Sequence, residues 1–199
     1  MRKTLLVSLT ALVSVAVAYG LVTQPNTTRP RYEDGQLVRP EGYREWVYLS
    51  SGLGMNYNPA GNAPELFTNV FVPQWAYRQF MATGKWPEKT LFVLEERVSE
   101  TQGSINKTGH FQTDLAGLAV EVKDSSQFPD TWAYFGFGTE AKTAPPNPKA
   151  ACWQCHNDHA AVEHTFVQFY PTLKPIAQKF RTYRAEAESA SDDGKSRSR

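Results

Sequence analysis

The chain has 199 residues, of which 41% are hydrophobic and 13% aromatic, and its 21 basic and 20 acidic residues leave a formal charge of +1 at pH 7. That length suits one domain with an ordinary apolar core rather than a disordered chain. The near-neutral balance excludes the basic surface that nucleic-acid binding requires.

Met1-Arg2-Lys3 precedes an apolar run from Leu5 to Ala18, and Ala16-Val17-Ala18 fits a small-residue cleavage site, so residues 1–18 read as a secretory signal. The run continues to Val22 and then spans 18 residues, the short limit for crossing a bilayer, so an uncleaved anchor to residue 22 is the alternative. Removing Arg2 and Lys3 leaves a mature charge of −1. The expected location is periplasmic.

Residues 19–37 read as a leader, polar and proline-bearing from residue 23 and extended as far as residue 40. Gly42 to Leu49 suggests a short helix or a turn into a strand, and Ser50 to Pro64, rich in Gly, Asn and Pro, a loop. Leu66 to Val72 is β-branched and aromatic, a strand. Pro73 opens a helix that Gly84 stops, with Trp75, Phe80 and Met81 as its apolar contacts. Strands are expected over Thr90–Val98, His110–Val122 (with a bulge or close approach at Gly117) and Thr131–Phe137. Ala144 to Pro148 is a rigid irregular connector, Ala150 to His159 a helix, Pro171 to Ala187 a terminal helix, and residues 189–199 a polar disordered tail. The fold class is α+β: a mainly antiparallel sheet with a few helices, a domain over 38–188.

Cys152-Trp153-Gln154-Cys155-His156 reads C-x-x-C-H, the pattern that attaches one c-type haem covalently. Two thiols on one turn each add to a vinyl group of the same porphyrin, and the next imidazole reaches the iron. Cys152 and Cys155 are therefore the candidate thioethers and His156 the candidate proximal ligand. A dithiol redox pair shares the spacing but sits early in a βαβ unit, which this region lacks. A zinc site from Cys152, Cys155, His159 and His164 places its ligand pairs too close together, and a disulfide across two residues closes a strained ring. Export agrees with haem, because such attachment occurs outside the cytoplasmic membrane. The motif also holds the chain's two cysteines.

Several other stretches accompany the motif in order: Tyr43-Arg44-Glu45-Trp46, Asn69-Val70-Phe71-Val72, Thr83-Gly84-Lys85-Trp86-Pro87, Glu121-Val122-Lys123-Asp124, Trp132 to Phe137, and Phe166 to Pro171. Over about residues 38–180 the chain resembles the cytochrome P460 family, which includes the cytochromes c′-beta. The resemblance implies a small, predominantly β haem protein, often a homodimer, with five-coordinate iron. In hydroxylamine-oxidising members a lysine on the strand after the Gly-Trp-Pro turn cross-links to the haem. The matching position here is Leu94, which has no amine. Relatives without the cross-link bind small gases such as nitric oxide at a hydrophobic distal face, and Leu91-Phe92-Val93-Leu94 suits that type.

Strand alternation puts residues 92, 94 and 96 on one side, so Phe92 and Leu94 are candidate distal-pocket residues. Turnover would need a proton-moving group, for which Glu96 and Glu140 are the candidates. A methionine or histidine as sixth ligand would instead make an electron carrier, with Met55, Met81, His110, His159 and His164 available; Met81 reads as helix core and His159 and His164 as residues of a solvated helix. Three functions follow: capture of nitric oxide or a similar gaseous or nitrogenous ligand, oxidation of hydroxylamine or nitric oxide, and electron transfer to a redox partner protein.

Overall fold

The computed structural model describes residues 28–55 and 65–189. The signal segment, the leader up to residue 27, residues 56–64 of the expected loop and residues 190–199 of the tail lie outside the described residues.

The chain first makes a hairpin of β1 (Tyr32–Glu33) and β2 (Gln36–Val38). Asp34 and Gly35 both take positive φ (48° and 76°), the backbone that a two-residue hairpin turn demands. A stretch read as an extended leader therefore pairs, and its Leu37 is fully buried. A 3-10 turn at Tyr43–Glu45 leads into β3 (Val47–Leu53). Ser50 to Leu53, read as loop, belong to that strand, because Ser50 to Leu53 pair with Val70 to Phe67 of β4 (Leu66–Val72).

Helix α1 (Gln74–Thr83) follows Pro73 directly and ends at Gly84 with φ 69°. A side chain at Gly84 would also stand 2.6 Å from Phe180 Cβ. Ala76 and Phe80 are buried on this helix, whereas Met81, expected among its contacts, is exposed. Then come β5 (Leu91–Glu100), β6 (Phe111–Lys123), β7 (Trp132–Gly136) and β8 (Thr143–Ala144). β8 pairs with β2, so the expected connector begins as a strand. The last helices are α2 (Trp153–His159), α3 (Lys174–Lys179) and α4 (Glu186–Ser189), with a 3-10 turn at Val167–Phe169.

The single terminal helix expected over 171–187 is thus two. Thr182 N–H donates to Ala177 C=O and Arg181 N–H to Gln178 C=O, with Arg181 at φ 58°. This is the paired-bond, left-handed termination of a helix, reached here without glycine. Thr182 Oγ1 also donates to Gly84 C=O at 2.7 Å, which anchors the break to the end of α1.

The main sheet is antiparallel in the order β3-β4-β5-β6-β7. Its register places Phe92 opposite Glu121, and Glu121 opposite Tyr134. Both faces are covered, which is why β5 begins with a continuous apolar run. One face packs Val72, Phe92, Trp132 and Tyr134 against α1, Trp86 and the C-terminal helices. The other packs Leu91, Val93, Val120 and Phe135 against Leu37, Tyr43 and Ala144. Trp86 joins the layers: its ring lies 4.1 Å from Phe80 and edge-on to Phe92 at 4.7 Å. Glu96 opposes Gly117 while Arg97 opposes Leu115, so a bulge sits at the expected place. The described residues contain no helix long and apolar enough to cross a membrane.

Candidate functional site

Helix α2 and the turn after it close over the first face of the sheet, leaving a cavity of about 280 Å³. Cys152, just before α2, and Cys155 and His156 on it border the cavity, with Val70, Phe92, Leu94 and Glu121 from the sheet and Phe166 and Tyr170 from the following segment. Residues far apart in sequence are thereby gathered around the motif. The alternation that put 92 and 94 on one side therefore brings both to the same cavity as the thiols. Position 94 opposes Val70 on one neighbour and Ala119 on the other, so its surroundings on the sheet are apolar.

His156 is held on three sides. Its ring lies 4.3 Å from Tyr134 and 4.6 Å from Phe166. Its Nδ1 stands 2.8 Å from the His164 carbonyl, which can only accept, so Nδ1 carries the proton. In the neutral ring this leaves the lone pair on Nε2, the tautomer that binds a metal through Nε2. Glu121 Oε1 is 3.5 Å from the same Nδ1.

Both cysteines are free thiols, and Asn147 Nδ2 lies 3.5 Å from Cys152 Sγ. Partial burial pushes the Cys155 thiol up, and Asp158 and Cys152 add to the effect. Among the described residues no three His, Cys, Asp or Glu side chains are grouped to hold a metal ion.

His164, expected on a solvated helix, lies instead in the turn beyond α2 with its ring 4.8 Å from Trp153 and 6.3 Å from Trp132. Burial, followed by the charges of His156 and Arg184, holds its pKa down at about 4, so this imidazole is neutral at pH 7. Of the five side chains considered for a sixth ligand, Met55 is among the residues bordering the cavity; Met81, His110, His159 and His164 are not. His110 stands at the start of β6 beside Ser99 Oγ, 3.0 Å away.

The two candidate acids lie elsewhere. Glu96 is on the cavity side of β5, but its carboxyl lies over Gly117, where a Cβ would be 2.6 Å from Oε2, and it does not border the cavity. Glu140 is exposed in the turn after β7. The carboxyl that does border the cavity is that of Glu121, which was not singled out as a site residue. Burial pushes its pKa up, and His156 opposes that shift. Burial likewise drives the Tyr134 phenol far above its usual range, with Glu121 and the two thiols adding to it. The available signal was a lone charge in the otherwise small and apolar run Leu118-Ala119-Val120-Glu121-Val122.

Glu121 Oε2 and Tyr134 Oη are buried without a hydrogen-bond partner. Buried orphans of this kind are rare in folded proteins. Two free thiols, an imidazole with Nε2 available and an apolar wall fit a haem. A family model, cytochrome P460, matches residues 40–167, a span that takes in the whole main sheet and the motif. No curated protein matches the chain.

Proposed function

This chain belongs to the cytochrome P460 family, and we propose that it is an exported cytochrome carrying one covalent c-type haem, whose open distal side binds a small ligand such as nitric oxide. As a haem cytochrome of the P460 and c′-beta kind it needs a group that holds the porphyrin and one that ligates iron. Cys152 and Cys155 are assigned the thioethers and His156 the iron. The haem, when bound, supplies the iron that takes up ligand and exchanges electrons.

One observation carries this reading: the two thiols, His156, Phe92 and Leu94 border a single cavity. The chain's own contribution is shape and exclusion. Phe92 and Leu94 line the site with hydrocarbon, which favours an uncharged diatomic over water. Among the described residues no lysine borders the cavity, and the resemblance matches Leu94 to the cross-linking lysine of the hydroxylamine-oxidising members. The ligand-binding reading is therefore preferred to hydroxylamine oxidation. The small-residue cleavage site is the ground for export to the periplasm; the homodimer that the resemblance implies and a protein redox partner belong to the same proposal.

The test is the ferrous absorption spectrum with and without carbon monoxide, together with the mass of the haem-bearing peptide. A high-spin ferrous haem that binds carbon monoxide rapidly, on a peptide with two thioethers and no third bond, is expected. A six-coordinate haem that refuses carbon monoxide makes the protein an electron carrier. A lysine–haem bond would return hydroxylamine oxidation to first place.

A further inference from the structure

The Nδ1 edge of His156 faces two acceptors, and one of them has no other evident purpose. The His164 carbonyl is the nearer, at 2.8 Å. Glu121 Oε1 lies at 3.5 Å, within ion-pair distance and longer than the roughly 2.7–3.2 Å of an N–H···O hydrogen bond. The ring cannot swing away from either, because Tyr134 and Phe166 pack against it. The backbone of Glu121 is fixed, since it pairs with Phe92 on one side and Tyr134 on the other, inside the sheet. Its second carboxyl oxygen is buried with no partner, and among the described residues no lysine or arginine borders the cavity to neutralise it. A carboxyl in such a place destabilises a fold unless it meets a donor. The other oxygen, Oε1, is the one that faces the imidazole.

We propose that Glu121 is a positioning residue for His156, sharing the Nδ1 proton with the His164 carbonyl so that the ring is held in one orientation and made a stronger donor to the iron. The inference rests on the assignment of His156 as iron ligand. Histidines that bind metals commonly give their other N–H to a carbonyl or a carboxylate, and a carboxylate raises the basicity of the ligand. A carbonyl alone would satisfy the proton. In its ionised form, which the contact with His156 favours and burial opposes, the added carboxyl strengthens the axial ligand, favouring ferric over ferrous iron and lowering the potential of the site.

The test compares the holoprotein with its Glu121→Gln and Glu121→Asp variants by resonance Raman spectroscopy of the ferrous form and by potentiometric titration. Glutamine preserves shape and an acceptor but removes the charge. The expected result is a lower iron–histidine stretching frequency and a higher midpoint potential in Glu121→Gln, with Glu121→Asp lying between it and the parent. Unchanged frequency and potential in Glu121→Gln overturn the proposal. Should that variant fail to load haem, the parent's own frequency decides: a value typical of a histidine bonded to a neutral carbonyl overturns it, and one typical of a carboxylate-bonded histidine supports it. A parent with no iron–histidine band refutes the ligand assignment itself, which is a different failure.

Discussion

The Trp86 indole N–H donates a hydrogen bond to the Thr165 hydroxyl at 2.8 Å, and both side chains are buried. The two residues are 79 positions apart. The bond ties the turn after α1 to the segment that presents the His164 carbonyl to His156. Thr165 in turn donates to Val162 C=O at 2.8 Å, so its hydroxyl is used in both directions.

Replacing Thr165 with valine keeps the volume but leaves the Trp86 N–H buried and unpaired. An orphaned donor of this sort costs about 1–3 kcal/mol. Urea unfolding should show a loss in that range. Trp86→Phe removes the donor as well, but it takes away ring area packed between Phe80 and Phe92. Its loss should therefore exceed that of Thr165→Val.

Phe92 and Leu94 share the cavity wall but not the same burden. Phe92 is almost wholly buried and touches Trp86, whereas Leu94 is only partly buried. Phe92→Ala should destabilise by about 3–5 kcal/mol, the usual range for a buried ring. Leu94→Ala should fall below the roughly 2 kcal/mol that begins the range for buried leucines. It should instead change the rate of carbon monoxide binding, measured by flash photolysis. An unchanged rate would place the ligand elsewhere.

The covalent assignment predicts a graded loss. Cys152→Ala or Cys155→Ala should each leave one thioether, detected as a mass change of the haem peptide. The double variant should lose its haem in acidified organic solvent. His156→Ala should retain both thioethers while its spectrum loses the signature of an axial imidazole.

Acid should destabilise the far side of the sheet. Glu95 is buried there and accepts from Tyr43 Oη at 2.5 Å, Arg97 Nε at 2.5 Å and Arg44 Nε at 2.9 Å. Burial alone would raise its pKa, but the hydrogen bonds from Arg97, Tyr43 and Arg44 outweigh that and hold it at about 2. A carboxyl depressed on folding stabilises the protein above its unfolded pKa, near 4.5, and loses that contribution as pH falls toward 2. The shift corresponds to about 3 kcal/mol as an order of magnitude. Unfolding free energies taken between pH 6 and pH 2 should fall over that window, and Glu95→Gln should be weaker at pH 6 with a flatter acid limb.

Much of the frame was legible because it depends on local rules. Pro73 and Gly84 mark the ends of α1 through what their backbones permit. The alternation of β5 correctly puts Phe92, Leu94 and Glu96 on one face. The hairpin at Tyr32–Val38 was also within reach, since Asp34-Gly35 is a strong turn pair, but the polar, proline-bearing composition around it suggested an unpaired leader. The break between α3 and α4 was not legible. It depends on Thr182 reaching Gly84, and no periodicity in residues 171–187 announces a contact 98 positions away.

The chain alone determined the chemistry on offer: two thiols and an imidazole on one helical turn, and an apolar strand with leucine at position 94. Those are properties of residue type and spacing, which survive without a partner segment. What stands around the imidazole was decided only by folding. Sheet register brings Glu121 opposite Phe92, and the turn beyond α2 aims a backbone carbonyl at Nδ1. Such neighbours come from cross-strand pairing and helix placement over long separations, which a one-dimensional pattern does not encode.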